Sequence, residues 1–202
     1  AQSSQVDAFS DADVFTLQTL SDQLAVAIEN ARLYQRVAHL SEKDELSGLY
    51  NQRTLVKILG DELLKAEKLN PDDPILHNDL GLVYMAKDKT DRAIAHFERA
   101  IELKPDYSLA KNNLGSAYLV RKEWDRAIPV LEAVTGDMLY ATPHYPLANL
   151  GWAYYNKHDY DKARKYLKEA LELKPDFFVA QLNLGRTYLA TGRLHAALSQ
   201  FE

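Results

Sequence analysis

An aspartate and three asparagines recur in one register along the chain: Asp79, Asn113, Asn149 and Asn183, at intervals of 34, 36 and 34 residues. A primary amide both donates and accepts, so a line of amides can pair with the peptide groups of an extended ligand. Three positions further on stand Leu82, Ser116, Trp152 and Arg186, and beyond them Met85, Leu119, Tyr155 and Leu189. Trp, Tyr and Arg are the residue types that concentrate binding energy at protein interfaces. Together with Asn112, these positions describe an apolar and aromatic surface with an amide line down it. The candidate recognition set is Asp79, Asn112, Asn113, Ser116, Leu119, Asn149, Trp152, Tyr155, Asn183 and Arg186. An alternative reading has the asparagines solvating an open face while Trp152 and Tyr155 pack against a neighbouring repeat.

Other chemistry finds little footing. The six histidines are His39, His77, His96, His144, His158 and His195. No two lie within four residues of each other, and no His-x3-His spacing occurs, so they read as exposed helix or loop residues and no metal site is expected. There is no glycine-rich phosphate loop, no flanked nucleophile–base pair and no cysteine. Catalytic residues and cofactors are therefore expected to be absent. A net charge of −5 gives no basic footprint for nucleic acid or an anionic membrane. No apolar run reaches the 18 residues or so of a spanning helix. The chain starts at Ala1 without a methionine and stops in mid-pattern at Glu202, which reads as a fragment of something longer. The lack of cysteine fits a cytoplasmic protein, or a periplasmic one should a lipoprotein signal lie upstream.

The elements that must carry these residues are repeats. Leu-Gly-x-x-Tyr occurs at Leu80-Gly81/Tyr84, Leu114-Gly115/Tyr118, Leu150-Gly151/Tyr154 and Leu184-Gly185/Tyr188. Twelve residues after each glycine comes an alanine (Ala93, Ala127, Ala163, Ala197), and then a bulky apolar residue (Phe97, Leu131, Leu167, Phe201). Two copies close with Ala100/Pro105 and Ala170/Pro175, and Ala66/Pro71 mark a half-repeat before them. Small residues let two helices approach, large ones fill the space beside them, and proline ends the second helix. A unit this short cannot bury its own apolar face, so units must stack. The pattern resembles the tetratricopeptide repeat family over roughly residues 57–202. It implies a half-repeat at 57–73, repeats at 74–107, 108–143 and 144–177, and a truncated one at 178–202. The first helix of each pair would line a concave groove. The third copy departs from the pattern: Val134 and Leu139 replace the alanine and the proline, and two residues are inserted around Thr135–Pro146, where a longer loop is expected.

The stretches Asn112-Asn113-Leu114-Gly115-Ser116-Ala117-Tyr118 and Ala148-Asn149-Leu150-Gly151-Trp152-Ala153-Tyr154-Tyr155, with Tyr140-Ala141-Thr142-Pro143 before the second, resemble type IV pilus biogenesis and stability (pilotin) proteins. That resemblance implies a partner in a pilus or related secretion assembly. The basic clamp of repeat proteins that hold acidic C-terminal tails is not matched, because Asn78 and Asn112 occupy positions where basic residues would be needed.

Residues 1–43 differ. Ser10 is a good N-cap, Asp11 and Asp13 suit a helix N-terminus, and neither Gly nor Pro follows as far as Lys43. Such a helix would be about 50 Å long. Leu17, Leu20, Leu24, Ala27, Ala31 and Tyr34 alternate steps of three and four, a heptad seam suited to dimerisation. The segment from Phe9 to Tyr34 resembles the last helix of a GAF sensor domain. Asp44-Glu45-Leu46-Ser47-Gly48-Leu49-Tyr50-Asn51-Gln52-Arg53 resembles the opening motif of GGDEF diguanylate cyclases, although the catalytic signature itself is absent. Asp44 and Asn51 then read as a vestigial ligand edge; the alternative is that Asp44 caps a new helix and Gly48 makes a turn. The sequence thus predicts an all-α chain: a long N-terminal coiled-coil-like helix over 1–43, a junction at 44–56, and a right-handed solenoid over 57–202. The expected function is non-catalytic binding of a protein or extended peptide in the groove. The alternative is a signalling protein of the cyclic-di-GMP network with a sensor upstream.

Overall fold

The computed structural model describes Glu29, Lys43 and residues 49–198 apart from 138. The chain divides into two compact units, Ala1–Leu55 and Val56–Glu202. The expected seam (Leu17, Leu20, Leu24, Ala27, Ala31 and Tyr34) lies outside the described residues; within 1–43 only Glu29, which is helical, and Lys43 are described. Lys43 and Tyr50 form an isolated antiparallel bridge.

Among the described residues nine helices follow: α1 (Gln52–Leu69), α2 (Pro74–Ala86), α3 (Thr90–Leu103), α4 (Ser108–Val120), α5 (Trp124–Thr135), α6 (His144–Asn156), α7 (Tyr160–Leu173), α8 (Phe178–Ala190) and α9 (Leu194–Leu198). Sequence chemistry sets several starts. The Asn51 Oδ1 accepts from the Thr54 amide at 2.9 Å and caps α1, which assigns Asn51 a structural task. Asp73 accepts from the amides of Ile75 and Leu76 ahead of α2, with Pro74 pre-set for the first turn. The turn inside each helix pair places one residue in the left-handed region: Asp88, Lys122, His158 and Gly192, with φ of 55°, 61°, 59° and 73°. Only the last is glycine.

Within each pair the small residues do what their spacing implies. A Cβ on Gly115 would lie 2.5 Å from the Leu131 side chain, and Gly81 and Gly151 face Phe97 and Leu167 in the same way. The backbone of one helix is thus the floor on which the next helix's large side chain rests. Phe97, Leu131 and Leu167 are fully buried, as are Ala93, Ala127 and Ala163. Each such large side chain contributes on the order of 1.5–3 kcal/mol of burial. Eight residues, 136–143, separate α5 from α6, against four at 104–107 and 174–177, so the inserted loop lies where the sequence places it. Asp137 anchors it: its Oδ2 accepts from the Ser108 hydroxyl at 2.5 Å and its Oδ1 from the Leu139 amide.

Successive first helices pack on one another, α2 on α4, α4 on α6 and α6 on α8. Among the described helices no two second helices make a comparable contact. The first helices therefore form the tighter, inner side of the stack, and the second helices fan out behind them.

Candidate partner-binding groove

The inner side carries the candidate recognition residues, but it uses them unevenly. Asn112, Leu119 and Asn183 are buried, and Leu119 belongs to the hydrophobic core. Asp79, Asn113, Ser116, Asn149, Trp152 and Tyr155 are half-buried, and Arg186 is exposed. The amides are first of all bonded to one another. Asn113 donates through Nδ2 to the Asn78 Oδ1 at 2.9 Å. Asn149 donates to the Ser116 hydroxyl oxygen at 3.0 Å and, more weakly, to the Asn112 Oδ1 at 3.5 Å. Asn78, considered in the sequence only as a departure from a basic clamp, and Asn112, considered also as a recognition residue, are thus buried acceptors that join one repeat to the next. Among the described residues the Oδ1 atoms of Asn113 and Asn149 accept no hydrogen bond, so each presents an acceptor on the inner side.

The aromatic part is more compact. Trp152 and Tyr155, one turn apart on α6, stack with centroids 5.3 Å apart and planes 11° from parallel. The Arg186 guanidinium, from α8, stands 5.6 Å from the Trp152 ring centroid. One of its nitrogens donates to the Asn183 Oδ1 at 3.3 Å. Two repeats therefore build one platform of two aromatic faces and a cation, directly beside the Asn149 amide.

Behind the groove the repeat tyrosines do more than fill space. The Tyr118 hydroxyl donates to Glu98 at 2.7 Å and accepts from Arg126, and Tyr154 donates to Glu132 at 3.0 Å. Burial, followed by the bond to the acidic partner, pushes the Tyr118 and Tyr154 phenols up to about 12. The partners stand 20 and 22 residues upstream, and the difference equals the two inserted residues. That signal is present in the sequence and was missed.

The histidines need a correction. His77 is buried, not exposed, because its position on α2 faces the junction with α1 and α3. Its Nδ1 lies 3.1 Å from the Nδ1 of His96, and Glu67 completes a three-residue cluster. His144 is half-buried, its ring edge-on to Phe177, and its Nε2 is buried without a hydrogen-bond partner. Burial lowers its pKa.

Tetratricopeptide repeat models match residues 61–107, 78–146 and 144–177, so together they span more than half of the chain. The chain is a tetratricopeptide repeat protein. No curated protein sequence matches it. Solved structures share the fold. PilW, described as a widely conserved type IV pilus biogenesis factor, superposes with a TM-score of 0.69 at 24% identity over 72% of this chain and 67% of that one. PilF of Pseudomonas aeruginosa gives 0.69 at 19% identity over 74% and 68%. MamA from Desulfovibrio magneticus RS-1 gives 0.64 at 23% identity over 85% and 90%. The family matches begin at residue 61, so the sensor-helix and cyclase-motif resemblances gain no support from them. The tetratricopeptide array implies a protein partner, and among the described residues no helix is long and apolar enough to cross a membrane.

Proposed function

We propose that the tetratricopeptide array is a non-catalytic scaffold that holds an extended segment of a partner protein against α4, α6 and α8. The observation that carries this reading is the platform of Trp152, Tyr155 and Arg186 beside the open Asn149 acceptor. Stacked aromatics with a neighbouring guanidinium bind an apolar or aromatic side chain on one face and an acidic group at the edge. Asn113 and Asn149, each with its amide nitrogen already bonded to the preceding repeat, offer carbonyl oxygens to the backbone N–H groups of the segment. The ladder thus acts as an acceptor line.

The likeness to PilW and PilF, together with the matching asparagine stretches, supports a partner from a type IV pilus or related assembly in a bacterial cell. The experiment is a calorimetric titration of peptide segments from such an assembly into the wild type, Trp152→Ala and the triple Asn113/Asn149/Asn183→Ala variant. Trp152→Ala should weaken binding by about 2 kcal/mol or more, roughly thirtyfold. Equal affinities for all three proteins would reject the groove. Equal affinities for the wild type and the triple variant alone would reject the acceptor line and leave the platform.

A further inference from the structure

Glu67, His77 and His96 come from three successive helices, α1, α2 and α3, and each brings one ligand-type atom to within 4.8 Å of the others. The two Nδ1 atoms are 3.1 Å apart, and the Glu67 Oε1 lies 3.8 Å from that of His77 and 3.9 Å from that of His96. A point equidistant from three atoms at those separations lies about 2.1 Å from each, within the bond range of about 2.0–2.2 Å for zinc with histidine nitrogen and carboxylate oxygen.

The His77 tautomer is fixed as well. The His77 Nε2 sits 2.8 Å from the Pro71 carbonyl oxygen, which can only accept. Nε2 therefore carries a hydrogen, which leaves Nδ1, one corner of the triangle, as the ligating atom. A backbone carbonyl in this position is a common way to fix the tautomer and ring orientation of a ligating histidine. The His96 ring is held between two others: it stacks on His77 at 5.4 Å and on Tyr84 at 5.1 Å.

We propose that Glu67, His77 and His96 form a binding site for a divalent first-row transition ion, zinc foremost, that clasps the half-repeat helix α1 to the first complete repeat. Two imidazoles and one carboxylate are a donor set zinc favours, and partly exposed Glu67 and His96 leave solvent access to a fourth position. Without an ion, one hydrogen shared between the two Nδ1 atoms accounts for their 3.1 Å separation. Binding moves the His96 hydrogen to Nε2, so that both Nδ1 atoms are free to ligate the ion. The clasp joins elements that already approach closely: a Cβ on Gly60 of α1 would lie 2.9 Å from Val83 of α2.

The test uses the purified chain after chelator treatment, titrated with Co²⁺ and followed by its visible absorption, and with Zn²⁺ followed by calorimetry and thermal melting. One equivalent should bind, with tetrahedral-type cobalt bands and a raised melting temperature, both reversed by chelator. Glu67→Gln keeps size and shape, His96→Gln removes a second ligand, and each should weaken binding at least about tenfold. If His96→Gln does not fold, Glu67→Gln alone decides. Absence of one-equivalent binding overturns the proposal. So does binding that Glu67→Gln leaves unchanged, which would assign the ion to surface histidines such as His158 and His195.

Discussion

The side-chain amide of Asn113 donates to the Oδ1 of Asn78 across 2.9 Å, and so fastens the first helix of one repeat to the first helix of the repeat before it. Asn149 repeats the arrangement one unit later, through Ser116 and Asn112. The asparagine ladder is therefore part of the frame before it is part of any binding surface. Asn113→Asp replaces the donor by an anionic acceptor facing the buried Asn78 oxygen. Stability should fall by about 1–3 kcal/mol, the cost of an unmet buried polar group. Urea denaturation reads this directly, and a midpoint equal to that of the wild type contradicts the ladder's structural role.

Gly115 is a matter of volume. Gly115→Ala gains about 1 kcal/mol of helix propensity but drives a methyl group to 2.5 Å from Leu131. Overpacking of this kind costs about 1–3 kcal/mol, so the net effect is a loss of up to about 2 kcal/mol. The double variant Gly115→Ala/Leu131→Val should lose less than the sum of the two single variants. Simple additivity in that cycle would show that the two residues do not meet.

Lys122 presents the opposite case. It holds φ at 61° in the turn between α4 and α5, where the last repeat uses Gly192. Left-handed backbone costs a residue with a Cβ about 1–2 kcal/mol, and glycine's extra chain entropy returns part of that. Lys122→Gly should therefore stabilise the array by a few tenths up to about 1 kcal/mol. A lowered melting temperature would show that the Lys122 side chain supports the turn in another way.

The phenols of Tyr118 and Tyr154 titrate at about 12, above the ordinary 10, because they are buried and already donate to Glu98 and Glu132. A raised folded-state pKa stabilises fully below the unfolded value of about 10 and is lost as pH rises through 12. Spectrophotometric titration of the 12 tyrosines should show two late ionisations, and Tyr118→Phe and Tyr154→Phe should each remove one. An unchanged late phase in both variants refutes the assignment.

His144 acts at the other end of the pH scale. Its folded pKa is lowered from 6.5 by burial, so the unfolded chain takes up the proton first. Its contribution to stability is whole above about pH 6.5 and declines as pH falls through the folded value. His144→Phe should flatten the decline in melting temperature as pH falls below about 6.5. A slope identical to that of the wild type would place the acid sensitivity elsewhere.

The helix pairs and the long loop were legible because volume is periodic. A glycine facing a large side chain must recur with the repeat, and the 36-residue interval marks the insertion directly. Trp152 and Arg186 could be placed together by register alone. What register could not show was commitment: Asn112 and Asn183 share the type of an exposed amide but are buried, and Leu119 serves the core. The Glu67, His77 and His96 cluster escaped for a different reason. Search by local spacing finds ligands on one helix, whereas these lie on three, and His77 and His96 are 19 residues apart.

Each second helix packs on the next pair's first helix more extensively than successive first helices pack on one another, so the repeats are joined through the body of the array as well as along its inner edge. Rotating one pair about the next therefore also strains links behind the inner edge, from Arg126 to Glu98 and from Tyr166 to Glu132. The width of the groove is thus held from both sides, and a bulky guest must be met by side-chain movement within it rather than by splaying the array.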